Sequence, residues 1–194
     1  MGLLLLAACT KGGTAAQTPG ATVGTAAPTT TTTNPYAVPA VIDAAYVNRV
    51  LAGLDAVFGD AFRLLVSRRK VEIEILDRFT AVYGDRELLN LQLKVVQDNI
   101  MFDAAKLPPV PGDKHTTVDT VISSSSACIF ASVDRDYSAF VGKPSPVGRE
   151  WVALRPLSVG VDPNGYNGTN WAYVYEGFGP NHQPPGTSPC ATGS

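Results

Sequence analysis

Near residue 115 the spacing of apolar residues changes from that of a helix to that of a strand, and it does not change back. Upstream, Val47, Val50, Leu51, Leu54, Phe58, Phe62 and Leu65 recur at the intervals that lay one face of a helix on a core. Asp43 stands where its carboxylate can cap the first turn. Arg68, Arg69 and Lys70 fall where that helix should end, and cations there complement the helix dipole; a membrane-surface patch is the alternative role for this trio. A second helix reads through Val71, Ile75, Leu76, Phe79, Val82 and Tyr83 and closes at Gly84. A third begins after Asp85 with Leu88, Leu91, Val95 and Val96 on its inner side, and Pro108 and Pro109 stop it.

Downstream, "HTTVDTVISS" and "ACIFASVDRDY" alternate in twos across a Ser-rich turn and read as a hairpin. "REWVALRPL" and "NWAYVYEGF" supply two more strands, separated by "SVGVDPNGYNGT", whose Asp-Pro, Asn-Gly and Gly-Thr steps are turn chemistry. Helices first and strands after predict an α+β domain, with three N-terminal helices on a curved antiparallel sheet of about four strands.

The chain starts with "MGLLLLAACTKGGT". Its apolar run is too short to span a bilayer as a helix, which takes about 20 residues, but it has the length of a signal-peptide core. Leu6-Ala7-Ala8-Cys9 resembles a bacterial lipobox, which makes Cys9 the lipid-attachment residue and residues 1–8 a leader remnant. Leu6 excludes the N-myristoylation pattern, which needs Ser or Thr at that position. Residues 9–40 are mostly Thr, Ala, Gly and Pro and cannot bury enough apolar surface to offset the entropy of ordering them. They read as a disordered tether reaching about 30 Å root-mean-square, with a Thr run open to O-linked sugars. Residues 41–194 then form a single domain.

Of the three cysteines, the lipid takes Cys9, and Cys128 and Cys190 remain as an even pair. In an exported protein such a pair suggests a disulfide, here one that pins the Pro/Gly-rich tail to the domain. A formal net charge of -2 leaves no basic excess to neutralise phosphates, which argues against nucleic-acid binding. These features place the protein on the extracytoplasmic face of a bacterial cell membrane.

No motif spells out a reaction. His115 and His182, the only histidines, sit in predicted loops, with no metal-ligand spacing, and no cofactor is implied. "SSSSA" is a turn, without the strained elbow of a Ser nucleophile, and the glycines of "GYNGT" do not lead from a strand into a helix, so they make no phosphate cradle. "DRDY" is the best catalytic candidate. Alternation puts Asp134 and Asp136 on one face with Cys128, Phe130 and Ser132, and Arg135 on the other. Beside Tyr46 in an apolar pocket, either Asp can act as a general base with a phenol donor. The simpler expectation is a pair of solvated carboxylates bound to Arg135, Arg149 or Arg155. Glu176, between Tyr175 and Phe178, is a second candidate. Trp171, Tyr173 and Tyr175 share a face by alternation and serve either as core or as an exposed platform for a sugar polymer, a lipid or a protein.

The segments "AYVNRVLAGLDAVFGDAFR", "CIFASVDRDYSAF" and "DPNGYNGTNWAYVYEGF" together resemble a group of actinobacterial lipoproteins whose folded part is similar to the nuclear-transport-factor-2-like cone. That resemblance implies a bent sheet wrapped around helices and a conical pocket, in a superfamily that holds both enzymes and non-catalytic assembly subunits. The expected role is a lipid-anchored binding or assembly module of a cell-envelope complex, non-catalytic, with an envelope protein partner or a small apolar ligand. The alternative is a small isomerase or dehydratase with a pocket carboxylate.

Overall fold

The computed structural model describes residues 34–103, 107–177 and 185–191, apart from the side chains of 99–103. Residues 1–33, with Cys9 and most of the tether, lie outside the described residues, as do Phe178 and His182. The domain is α+β. Helices α1 (Ala44–Arg68), α2 (Ile73–Val82) and α3 (Arg86–Asp103) precede strands β1 (His115–Ser125) and β2 (Cys128–Asp136), a short helix α4 (Ser138–Val141), and strands β3 (Gly148–Pro156) and β4 (Trp171–Glu176). The four strands form one antiparallel sheet in sequence order.

Helix α1 starts where Asp43 accepts the Tyr46 amide at 2.8 Å, a cap contributing about 1 kcal/mol. It ends where Arg69 turns into the left-handed region, φ 57°. Its apolar stripe from Tyr46 to Leu65 is buried and joins Ile75, Phe79 and Val82 of α2 and Ile129, Val133, Val152, Leu154, Trp171 and Tyr173 of the sheet in one core. Two of the three basic residues at the end of α1 meet carboxylates: Arg68 bridges Glu72 and Glu74, and Lys70 bridges Glu72.

Both sheet edges are covered in part, one by α1 and the other by the connection between α2 and α3. Asn48 and Asp55, two turns apart on α1, accept the β1 edge amides of Val118 and Thr116, each at 2.8 Å. At the other edge the Gly84 amide donates to the Tyr173 carbonyl at 2.9 Å, and Tyr83 forms a single parallel bridge with Tyr173. Covering an edge in this way removes a template for pairing with other chains.

Several sequence expectations need correction. Leu91 and Val95 are exposed, at 49% and 46%, while Leu89 and Gln92 are buried in their place; the inner stripe of α3 runs through Leu88, Leu89, Gln92 and Val96. Val71 lies before α2 and is exposed. Helix α2 ends at Val82, so Gly84 serves the sheet edge rather than the helix end. The expected tether boundary at residue 40 runs into the domain: Tyr36 packs on the core, and its carbonyl accepts the Tyr46 hydroxyl at 3.0 Å.

Cys128, at the start of β2, and Cys190 in the tail stand at disulfide geometry, with Cα atoms 5.6 Å apart and 62 residues between them. Arg155 also holds the tail through the Pro189 carbonyl at 3.2 Å. Reduction should raise the intact mass of the protein by two hydrogens, and Cys190→Ser should cost about 4 kcal/mol of stability in urea unfolding. Two alkylatable thiols in the native protein would contradict the bridge.

Candidate functional site

The inner face of the sheet ends in charge. Along β2 it carries Ile129, Ala131, Val133 and then Arg135; along β3 it carries Leu154, Val152 and then Glu150, in register with the β2 residues. On β4 the register shifts: Tyr173 pairs with Leu154, but Tyr175 pairs with Ala153 and Glu176 with Val152. Val174 is thus the extra residue of a β-bulge, which reverses the facing of everything after it. Strict alternation keeps Tyr175 with Trp171 and Tyr173; the bulge instead leaves Tyr175 half-buried and brings Glu176 inside.

Arg135 is 1% exposed. Its Nη2 donates to Glu176 Oε1 at 2.6 Å and its Nη1 stands 3.1 Å from Glu150 Oε2. Glu176 Oε2 accepts Gln92 Nε2 of α3 at 2.9 Å. Lys114, just before β1, completes the cluster. Its Nζ lies 3.6 Å from Asp55 Oδ1, 4.0 Å from Glu176 Oε1 and 4.3 Å from the centre of the Phe58 ring. The segment carrying Lys114 is clamped from two sides. Arg63 of α1 donates to the Pro111 carbonyl and to Asp113, and the Gly112 amide donates to Ala139 of α4 at 3.1 Å. A Cβ on Gly112 would come within 3.0 Å of the Ala139 carbonyl oxygen, so glycine permits the approach.

Burial sets the protonation of these groups. It raises the Asp55 carboxyl above its ordinary value against the opposing pull of Lys114 and Arg135, and it raises Glu150 in the same way against Arg135. It lowers Lys114, with the nearby Arg135 guanidinium adding to the effect. It pushes the Tyr137 hydroxyl up to about 12 and those of Tyr83 and Tyr173 well above their usual value. For Arg135 burial works against the charge, yet Glu176 and Glu150 outweigh it and the guanidinium stays charged. Asp55 Oδ1, Glu150 Oε2, Arg135 Nε and the hydroxyls of Tyr83, Tyr173 and Thr116 have no hydrogen-bond partner.

Two cavities meet at Lys114. One, of about 240 Å³, is walled by Phe58 and Phe62 of α1, Val95 and Val96 of α3 and Phe140 and Val141 of α4, with Gln92, Lys114, Arg135 and Tyr137 as its polar lining. The other, of about 350 Å³, lies between α1 and the start of β1 and includes Asp55, Lys114 and His115. Helix α4 was not foreseen. Asp136 accepts the Ser138 amide just before it at 2.7 Å, and the helix brings the Phe140 ring to 4.2 Å from that of Phe62.

The expected "DRDY" base does not form. Asp134 faces outward and pairs with Arg149 at 3.1 Å, Asp136 accepts the Ser138 amide, and Arg135 is the inward residue. Tyr46 sits elsewhere in the core, its hydroxyl accepting the Trp171 indole at 2.8 Å. Trp171 and Tyr173 are core residues, 1% and 0% exposed, rather than an exposed platform. Of the sequence candidates only Tyr173 and Glu176 reach the cluster. Asp55, Gln92, Lys114, Arg135 and Glu150 were missed. For Asp55, Gln92 and Glu150 a signal existed, because each is a polar residue in phase with an apolar stripe. Among the described residues, no group of three His, Cys, Asp or Glu is placed to hold a metal ion, and no helix is long and apolar enough to cross a membrane. No family model, curated protein or solved structure matches the chain.

Removing one partner of a buried ion pair strands the other charge. Glu176→Gln should therefore cost roughly 3 kcal/mol in urea unfolding, whereas Asp134→Asn should cost less than about 1 kcal/mol. Equal effects would contradict the inward placement of Glu176. The raised carboxyls also set a pH dependence. A group that binds its proton more tightly when folded stabilises the fold at low pH, and that contribution is lost as pH rises from its unfolded value through its folded one. Asp55→Asn should accordingly flatten the fall in stability above pH 3.8, the ordinary value for this carboxyl; an unchanged slope in urea midpoints measured across that range would contradict the shift.

Proposed function

We propose that this chain is a lipid-anchored, extracytoplasmic binding module of a bacterial cell envelope, with a cone-like domain that works by holding a ligand rather than by catalysis. The lipobox at Cys9 and the Thr/Ala/Gly/Pro tether support the location. The carrying observation for the mode of action is the cavity between α1, α3 and α4: its walls are apolar and its charged lining is Lys114 and Arg135. The carboxylates nearby are engaged, Glu176 and Glu150 by Arg135 and Asp55 by the Thr116 amide with Lys114 beyond. A sheet with helices on its inner face and a bridge at Tyr83 between α2 and α3 is consistent with the nuclear-transport-factor-2-like resemblance.

One observation favours the second reading, an isomerase or dehydratase. Asp55 is buried, its carboxyl is raised, and its Oδ1 is unpartnered at the lining of the second cavity, which are properties of a general base.

Complementation of a deletion strain separates the two. Cys9→Ala should abolish incorporation of labelled fatty acid and lower function. Val95→Trp, at an exposed position lining the first cavity, should block the cavity and lower function at normal abundance. Asp55→Asn should complement at near wild-type level; loss of function in that variant, with fold and abundance intact, would overturn the binding reading in favour of the enzyme.

A further inference from the structure

The ligand class follows from what the smaller cavity shows to its occupant, and the argument rests on the binding reading above. Among the described residues lining it, the charged groups are both cationic, Lys114 and Arg135, while Gln92 and Tyr137 add an amide and a phenol. The carboxylates Asp55, Glu150 and Glu176 stand behind these groups rather than in the lining. The two cations also have unspent donors. Both Lys114 contacts to carboxylates, 3.6 and 4.0 Å, are longer than a direct hydrogen bond, and the Arg135 Nε–H is unpartnered although the side chain is 1% exposed.

The remaining wall is aromatic and aliphatic. Phe140 lies against Phe62 at 4.2 Å and Phe58 at 5.9 Å between ring centres, and Val95, 46% exposed, marks the mouth. At about 30 Å³ for a water-sized group, a volume of about 240 Å³ holds on the order of eight non-hydrogen atoms. That is too small for a long-chain fatty acid and matches a single ring bearing a carboxylate. We propose that this cavity binds a compact aromatic monocarboxylate, its carboxylate on Lys114 and Arg135 and its ring among Phe58, Phe62 and Phe140. A charge-assisted hydrogen bond distinguishes such an acid from its neutral isostere.

An NMR titration of the isotope-labelled full chain with benzoate, benzyl alcohol and benzylamine tests this directly, because three ligands of nearly one size differ in charge. Benzoate should bind about tenfold or more tightly than the other two, as one charge-assisted bond supplies, and should shift the amides of Val96, Lys114 and Phe140. Lys114→Met should bring benzoate to parity with benzyl alcohol; the wild-type comparison decides the matter should that variant fail to fold. Benzyl alcohol binding as tightly as benzoate, or benzylamine binding more tightly, would overturn the carboxylate assignment and leave the binding reading standing. If none of the three shifts the lining amides, the assignment falls. If Val95→Trp also complements fully, the binding reading falls with it.

Discussion

Arg135 is the constraint on which the inner end of this sheet depends. A guanidinium taken out of water costs several kcal/mol unless it is paired and hydrogen-bonded, and here the two strands beyond β2 supply Glu176, which accepts a hydrogen bond from it, and Glu150, which forms an ion pair with it. That demand fixes register. A slip of one residue in either strand would turn its carboxylate outward and leave the cation with one partner in place of two. The bulge at Val174 is the local cost of the arrangement, because without it Glu176 would face away from Arg135.

The cavity is a consequence of the same cluster. A fully apolar end to the sheet would let α3 and α4 close onto it, as interiors normally pack to crystal-like density. The hydrogen bond to Glu176 holds Gln92 in place instead, carboxylates on two sides hold Lys114, and the aromatic residues of α1 and α4 line the space beside them. Helix α1 does double duty: its apolar stripe fills the core, while Asn48 and Asp55 at the margin of that stripe seal the β1 edge. Asp55 therefore belongs both to the sheet edge and to the charged cluster.

Much of the architecture was legible in the sequence because it rests on period. The α1 stripe, the Asp43 cap, the start of α3 after Asp85, the hairpin and the two later strands all follow from local spacing and turn chemistry. The failures came where a local pattern permits two answers. Alternation divides β2 into two faces, one with Phe130, Asp134 and Asp136 and one with Ile129, Val133 and Arg135, but spacing alone does not say which face meets the helices. The bulge at Val174 has no glycine or proline to announce it. On α3, Leu88 and Leu89 are adjacent, so the stripe can be drawn through Leu91 and Val95 or through Gln92 and Val96; the hydrogen bond from Gln92 to Glu176, 84 residues away, selects the second.

Those misplaced faces are also why the charged cluster was not visible from the sequence: its residues come from α1, α3, the segment before β1, and all three of β2, β3 and β4, and only the fold brings them together. The central claim is that Arg135 is locked between two carboxylates at the floor of the cavity. Nitrogen NMR of its side chain at neutral pH tests this most directly. A locked guanidinium should give separate Nη resonances in slow exchange and an Nε–H protected from bulk water. A single averaged Nη signal with fast solvent exchange would mean that the guanidinium is free and that the cluster, with the register it imposes, does not exist.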